Sequence, residues 1–536
     1  MKNRTVIWKG FLMLLIGLSF CNTKGVAENE KPNKKSKKSP NIIYIIADDF
    51  SYKDLSIYGQ KQYKTPNLDQ LCKQGIRFSQ AYSASGECAP SRSSVMTGLH
   101  TGHGRVRVNS SARGQDHLLD SDITVAEVLK SAGYATAFIG KWGIGQPQTE
   151  GVPYKQGFDY SFGYYDQVRA HTFFPDYLWE NDKKITYPAN AGFDMNKRYA
   201  NNIPNPPKEL LNSYDEQGKL ILEEVADPQN AVFSEAVFEE KALNFIDKHS
   251  EEPFFLYYAT QLPHGPVIID SLGNMKDRVD IPQKQREWAA MVQRIDTFTG
   301  TLIETLKKKG IYENTVIVFS SDNGYSMAGY MGRGNAPKWE DDPWLKNKGP
   351  FTGGKFSIFE GGCRIPFFMT WEGHIQPSIV QKAVWLPDLF STFSELANIK
   401  EVPKTDGNSL VPFFKNENTD IFNDRALYFS RQRAQAVRKG PWKAFRADSD
   451  APLELYLVEE DTYNENNLAK DYPEVAIEME TIMNESHEPS EWYWNPWETR
   501  KDFEEKKKKA KELGQDLPTI RPNNIDRLPW EKKGDS

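Results

Sequence analysis

Short, unbroken apolar runs alternate along the chain with longer stretches in which apolar residues recur at helical spacing. The first run, Asn41-Ile-Ile-Tyr-Ile-Ile-Ala47, has the pattern of a strand covered on both faces. Tyr134–Ile139, Pro253–Thr260 and Thr315–Ser320 repeat it. Between these runs the spacing predicts helices over Pro66–Gln74, Thr124–Ala132, Ser234–His249 and Gln283–Lys309. A short helix is predicted to start at Cys88, with Pro90 in its first turn and Gly98 at its stop. Strands alternating with helices predict an α/β fold: a large, mixed, mostly parallel sheet sandwiched by helices. Ligands of such sheets bind at the carboxyl ends of the strands. Here four strands run into Asp48-Asp49, Lys141, His264 and Asp322-Asn323.

The pattern changes after about Asp406. Short strand-like runs at 426–430, 435–438, 441–445 and 453–457, then a helical stretch from Pro473 to Glu485, predict a small subdomain with an antiparallel sheet and a helix. The expected division is a catalytic domain over 40–415 and a C-terminal subdomain over 416–536. The aromatic segment His487–Trp497 either stacks on sugar rings or packs against the larger domain, and Asp502–Leu513 reads as a charged, solvated helix. At the amino end, Lys2, Arg4 and Lys9 precede an apolar run, Phe11–Phe20, that is too short to span a bilayer comfortably. Residues 1–27 therefore read as an export signal and 28–39 as a flexible linker. Cys21 keeps a lipoprotein reading open, and only in that reading does the protein meet a membrane.

With four cysteines in 536 residues, a disulfide scaffold is excluded. The net charge of −6 argues against a general nucleic-acid binder. After signal cleavage Cys72, Cys88 and Cys363 remain, and Cys72 and Cys363 are expected to be buried thiols rather than a bridge. Cys88 differs in chemistry, because a helix N-terminus attracts anions and lowers the pKa of a thiol placed there. Arg92 adds a fixed cation one turn on. Asp48, Asp49, Asp322 and Asn323 offer only oxygen ligands, a donor set for Ca²⁺ or Mg²⁺ and a poor one for zinc.

The order Cys88-Ala-Pro-Ser-Arg92, continued to Thr97-Gly98, resembles the signature of the type I, formylglycine-dependent sulfatases. Gly140-Lys141-Trp142, Pro263-His264-Gly265-Pro266 and the stretch from Gly353-Gly354-Lys355 to Arg364-Ile-Pro366 extend the resemblance in the family's order, over roughly residues 40–485. It implies an alkaline-phosphatase-like fold and a sulfuric ester hydrolase of the bacterial polysaccharide type. It implies one Ca²⁺ on Asp48, Asp49, Asp322 and Asn323, with residue 88 completing the shell. It further implies 3-oxoalanine (formylglycine) made from Cys88 by a formylglycine-generating or anaerobic sulfatase-maturating enzyme. In that scheme the aldehyde hydrate attacks sulfur and Asp322 assists its deprotonation. Arg92, Lys141 and Lys355 hold charge, and His264 protonates the leaving oxygen.

One departure stands out: Gly143 occupies the place of a family histidine that assists sulfate release. His171 is the candidate replacement or, with Arg169, a substrate contact; His103 and Arg107 are further candidates just beyond the Cys88 helix. The expected substrate is a sulfated polysaccharide or oligosaccharide of galactose-type sugars, cleaved in exo fashion outside the cytoplasm, in the periplasm or after secretion. Two alternatives remain: a phosphate-ester hydrolase of the alkaline phosphatase superfamily, which needs zinc, and a non-catalytic binder of sulfated glycans, motivated by Gly143.

Overall fold

The apolar run at the start of the fold forms strand β1 (Asn41–Ala47), and every residue of it is buried. Its side chains divide by parity: Ile43, Ile45 and Ala47 enter one core, and Ile42, Tyr44 and Ile46 enter another. The computed structural model describes residues 39–195, 208, 211–326 and 351–515. The expected export signal, Cys21 and all of the linker but Ser39 lie outside them.

The next strands are β2 (Ile76–Phe78), β3 (Ala81–Tyr82), β4 (Ala135–Lys141), β5 (Tyr160–Tyr164), β6 (Tyr177–Glu180) and β7 (Lys183–Thr186). They are followed by β8 (Phe254–Ala259), β9 (Thr315–Ser321), β10 (Phe367–Thr370), β11 (Ser378–Val380) and β12 (Val384–Trp385). Ten of the described strands form one sheet in the order β11-β2-β10-β9-β1-β8-β4-β5-β6-β7. The central five, β9-β1-β8-β4-β5, pair in parallel, and β10 and β6 add antiparallel flanks. The sheet is the mixed, mostly parallel one expected from the alternating pattern.

Helices cover both faces. Ser234–Lys248 and Gln283–Lys308 press Phe238, Phe245, Trp288 and Ile295 into one core. Val125–Ser131 and Asp388–Leu396 press Val125, Leu129, Phe390 and Phe393 into the other. A capping box, Thr124 with Glu127, starts the Val125 helix. Among the described residues no helix is long and apolar enough to cross a membrane.

Strands β13 (Leu427–Arg431), β14 (Ala434–Lys439), β15 (Trp442–Arg446) and β16 (Glu454–Leu457) form a separate antiparallel meander. Helix Pro473–Glu485 buries Met479 and Met483 against one face of it. The other face packs on Tyr82, Ile358, Cys363 and Trp385. A buried carboxylate reinforces this contact: Glu360 accepts from Lys443 Nζ at 2.9 Å and from Tyr82 Oη at 3.0 Å. Cys72 and Cys363 are buried free thiols in different clusters, as expected.

Candidate active site

Register brings the chemistry together. Ala47 pairs with Ser321, and Ile46 and Gly140 both pair with Ala259, so the carboxyl ends of β9, β1, β8 and β4 are level. The residues that follow, Asp322-Asn323, Asp48-Asp49, the His264 loop and Lys141, emerge at one edge. Asp49 takes φ 61°, a left-handed conformation that aspartate tolerates better than most residues. This turn brings the carboxylates of Asp48 and Asp49 both within reach of the Cys88 sulfur.

Cys88 opens the helix Cys88–Thr97, which ends at Gly98 in the left-handed conformation, as its sequence predicts. All ten helix residues are buried, which its small side chains (Ala, Pro and four Ser or Thr) permit. The Cys88 Sγ lies 3.4 Å from Asp48 Oδ1 and 4.0 Å from Asp49 Oδ1. Ala89 N donates to Asn109 Oδ1 at 3.1 Å, and Glu87 accepts from Asn109 N and from Arg431 Nε. Gly86 allows the close approach of the Lys355 loop, since a Cβ there would stand 2.0 Å from the Ser357 carbonyl oxygen.

The thiol pKa runs opposite to expectation. Burial, with Asp322 and Asp48 adding to it, pushes Cys88 up rather than down. The helix end is present, but desolvation and the neighbouring carboxylates outweigh it.

Three buried cations face the carboxylates. Lys141 Nζ donates to Asp48 Oδ2 at 2.6 Å. Lys355 Nζ sits 2.8 Å from Asp49 Oδ1 and 2.8 Å from His264 Nε2. Arg92 donates through Nε to Asp322 Oδ2 at 2.9 Å and through Nη1 to the Lys141 carbonyl at 2.6 Å, and its Nη2 lies 2.8 Å from the same Asp322 oxygen as an ion pair. Burial works to raise Asp48, but Lys141, His264 and Arg92 hold it well below the usual carboxylate range. Burial and the Asp48 charge raise Asp322 despite Arg92. Asp49 holds Lys355 charged against its own desolvation.

His264 Nδ1 donates to the Gly265 carbonyl at 2.5 Å, so in the neutral ring Nε2 accepts from Lys355. His171 stacks on His264 with ring centroids 3.9 Å apart, which brings it into the cluster. Arg169 faces elsewhere: its guanidinium bonds Asp176 at 2.5 Å and lies 3.8 Å above the Tyr177 ring. Arg169, expected as a substrate contact, here braces its own loop through these two partners. His103 likewise pairs with Asp406 at 2.8 Å.

The oxygen donors of Asp48, Asp49 and Asn323 fit a hard cation, and the Cys88 sulfur and His264 ring border them. Donor atoms of Asp48, Asp49, Cys88 and His264 lie within 4.8 Å of one another. Asn323 donates through Nδ2 to Asp49 at 2.7 Å, while its buried Oδ1 has no hydrogen-bond partner. An orphaned amide oxygen beside a carboxylate is a donor of the type a hard cation takes.

Gly143 shows why no side chain stands there. Its φ is +81°, and a Cβ would stand 2.4 Å from Gln167 Oε1. Gln167 fills the space, and its buried Oε1 has no partner among the described residues. Neither Gln167 nor Asn109 carried a sequence signal, because each is a lone polar residue in a loop far from any motif.

The sulfatase family model matches residues 40–399. The N-acetylgalactosamine-6-O-sulfatase of Bacteroides thetaiotaomicron is 28% identical over 534 residues, covering 88% of this chain and 98% of that protein. The human N-acetylgalactosamine-6-sulfatase is 30% identical, covering 70% of this chain and 65% of that protein. The crystal structure of Ps i-CgsB in complex with k-i-k-neocarrahexaose superposes with a TM-score of 0.67 at 27% identity, covering 89% of this chain and 99% of that one. With the family model spanning more than half of the chain and the site motifs converging as described, the protein belongs to the sulfatase family and is a sulfuric ester hydrolase.

Proposed function

We propose that the protein removes sulfate from a galactose-type unit of a sulfated oligosaccharide or polysaccharide, in exo fashion. The observation that carries this reading is the gathering of three buried cations, Arg92, Lys141 and Lys355, on the carboxylates that flank residue 88. Lysines 141 and 355 would take the non-bridging oxygens of the ester, and Arg92 holds Asp322 in place. Once an incoming anion draws Lys355 away, His264 Nε2 would first take up a proton, from water or from the Lys355 ammonium, and then pass it to the leaving oxygen. The sugar assignment is supported by the names of the bacterial and human relatives, which specify N-acetylgalactosamine 6-sulfate.

Residue 88, matured to formylglycine by a dedicated enzyme, would supply the family's nucleophile. Asp48, Asp49, Asp322 and Asn323 would hold one Ca²⁺, which supplies electrostatic stabilisation of the ester oxygens. His171 remains the candidate for the role left open at Gly143. Export on residues 1–27, with lipidation of Cys21 as the variant form, belongs to the same proposal, as does the division at 415/416. Cys88→Ala should abolish sulfate release from sulfated galactosamine derivatives while leaving the circular dichroism spectrum and Tm unchanged. Full activity in that variant would sink the reading.

A further inference from the structure

A cavity of about 310 Å³ lies between the segment after the Cys88 helix, the β13–β14 turn and the C-terminal aromatic segment. Its volume is at the lower end of small-molecule sites, roughly 300–1,000 Å³. Arg107, Ser110, Tyr493, Arg500 and Lys507 line it. Arg107 is 8% exposed, and its hydrogen bonds go to the main-chain carbonyls of Gly104 and Glu488. Among the described residues no carboxylate forms an ion pair with it. A buried guanidinium with no carboxylate in ion-pair range is costly, and burial lowers its pKa although the more distant Glu488 charge opposes this. Tyr493 is 4% exposed, and its hydroxyl lies beside the Arg107 main chain with no side-chain hydrogen-bond partner among the described residues. The acid on the cavity wall, Glu504, is taken up by Lys507 at 2.9 Å, which leaves Arg107 and Arg500 in excess.

The cavity wall is joined through adjacent chain positions to residues that brace the Cys88 helix. Ser110 lines it, while the adjacent Asn109 braces Ala89 behind Cys88. Gln432 lines it as well, and the adjacent Arg431 holds Glu87.

We propose that this cavity is an anion subsite that takes a sulfate group on a neighbouring sugar of the same glycan chain. Arg107 and Arg500 would bond the sulfate oxygens, and the Tyr493 hydroxyl would donate a third bond. The proposal rests on the carbohydrate reading above and deepens it.

The test uses the full chain carrying Cys88→Ala, so that ligand is not consumed. Calorimetric titrations compare chondroitin 6-sulfate and κ-carrageenan tetrasaccharides with N-acetylgalactosamine 6-sulfate. Arg500→Ala and Tyr493→Phe, neither of which empties the interior, are tested beside Arg107→Gln. The ratio of tetrasaccharide to monosaccharide affinity should fall about tenfold in Arg500→Ala, the size of one charge-assisted bond, and by less in Tyr493→Phe. Unchanged ratios with both tetrasaccharides would overturn the subsite, even if Arg107→Gln does not fold. If the unsubstituted protein frees no sulfate from any of these ligands yet the ratio still falls, the substrate reading fails and the subsite stands. If no tetrasaccharide binds, the subsite is overturned whatever the activity.

Discussion

Glu360 offers the sharpest test of how the Lys355 loop is held. It is 2% exposed, and its carboxylate bonds Lys443 on β15 at 2.9 Å, Tyr82 on β3 at 3.0 Å and Arg364 at 3.4 Å. Burial works to raise its pKa, but Lys443 and Arg364 hold it below the usual carboxylate range. Glu360→Gln keeps the shape and removes the charge, so Lys443, itself 2% exposed, loses its counter-ion. Removing one partner of a buried pair costs about 3–5 kcal/mol, and the retained amide oxygen favours the low end. For a unit of roughly 500 residues the unfolding entropy is about 1 kcal/mol/K, so the apparent Tm should drop about 3–5 °C. Differential scanning calorimetry at pH 7 and fixed scan rate measures this. Adding Lys443→Met should recover part of the loss, because it removes the stranded cation. A Tm shift under about 1 °C, or a double variant as unstable as the sum of the singles, would refute the reasoning. The acid limb gives the sign. A depressed carboxylate stabilises fully above its unfolded pKa of about 4.3 and loses that contribution as pH falls through the folded value. Wild type and Glu360→Gln should therefore begin to converge in stability as pH falls below about 4.3, and meet only below the depressed folded pKa.

Gly143→Ala should destabilise by about 1–2 kcal/mol from its left-handed φ alone, with a further loss from contact with Gln167. Gln167→Ala in the same chain should relieve the contact and leave the backbone loss; a double variant no better than Gly143→Ala would contradict that division. Dialysis against a chelator should abolish sulfate release, and Ca²⁺ should restore it, with elemental analysis giving one ion per chain; two zinc ions per chain would favour phosphate-ester chemistry instead. The hydrogen bond to Asp406 raises His103 above its ordinary value. Its stabilisation is full below about pH 6.5 and fades as pH rises through the folded pKa. The Tm gap between wild type and His103→Gln should shrink from pH 6 to pH 8; a constant gap would exclude the pair as its source.

Where residues act through local pattern, they could be read along the chain. The run Asn41–Ala47 formed β1 with the predicted ends because unbroken apolarity means cover on both faces. Helix Pro473–Glu485 also matched its spacing to the residue. The flanking strands β5, β6, β7 and β10 were not legible: they are short, and two of them, β6 and β7, are partly exposed.

Site chemistry divides the same way. Asp48, Asp49, Lys141, His264, Asp322 and Lys355 sit in motifs whose residue types state their chemistry, and their strand-end positions follow from α/β topology. The chain order does not reveal environment. Burial beside Asp322 and Asp48 reversed the expected effect of the helix end on Cys88. Asp176 and Tyr177 claimed Arg169, and Gln167, 24 positions from Gly143, filled the space of a side chain that glycine lacks. Residue identities and short-range periodicity are properties of adjacent positions. Desolvation, ion-pair choice and filled volume depend on partners that become neighbours only when the sheet closes.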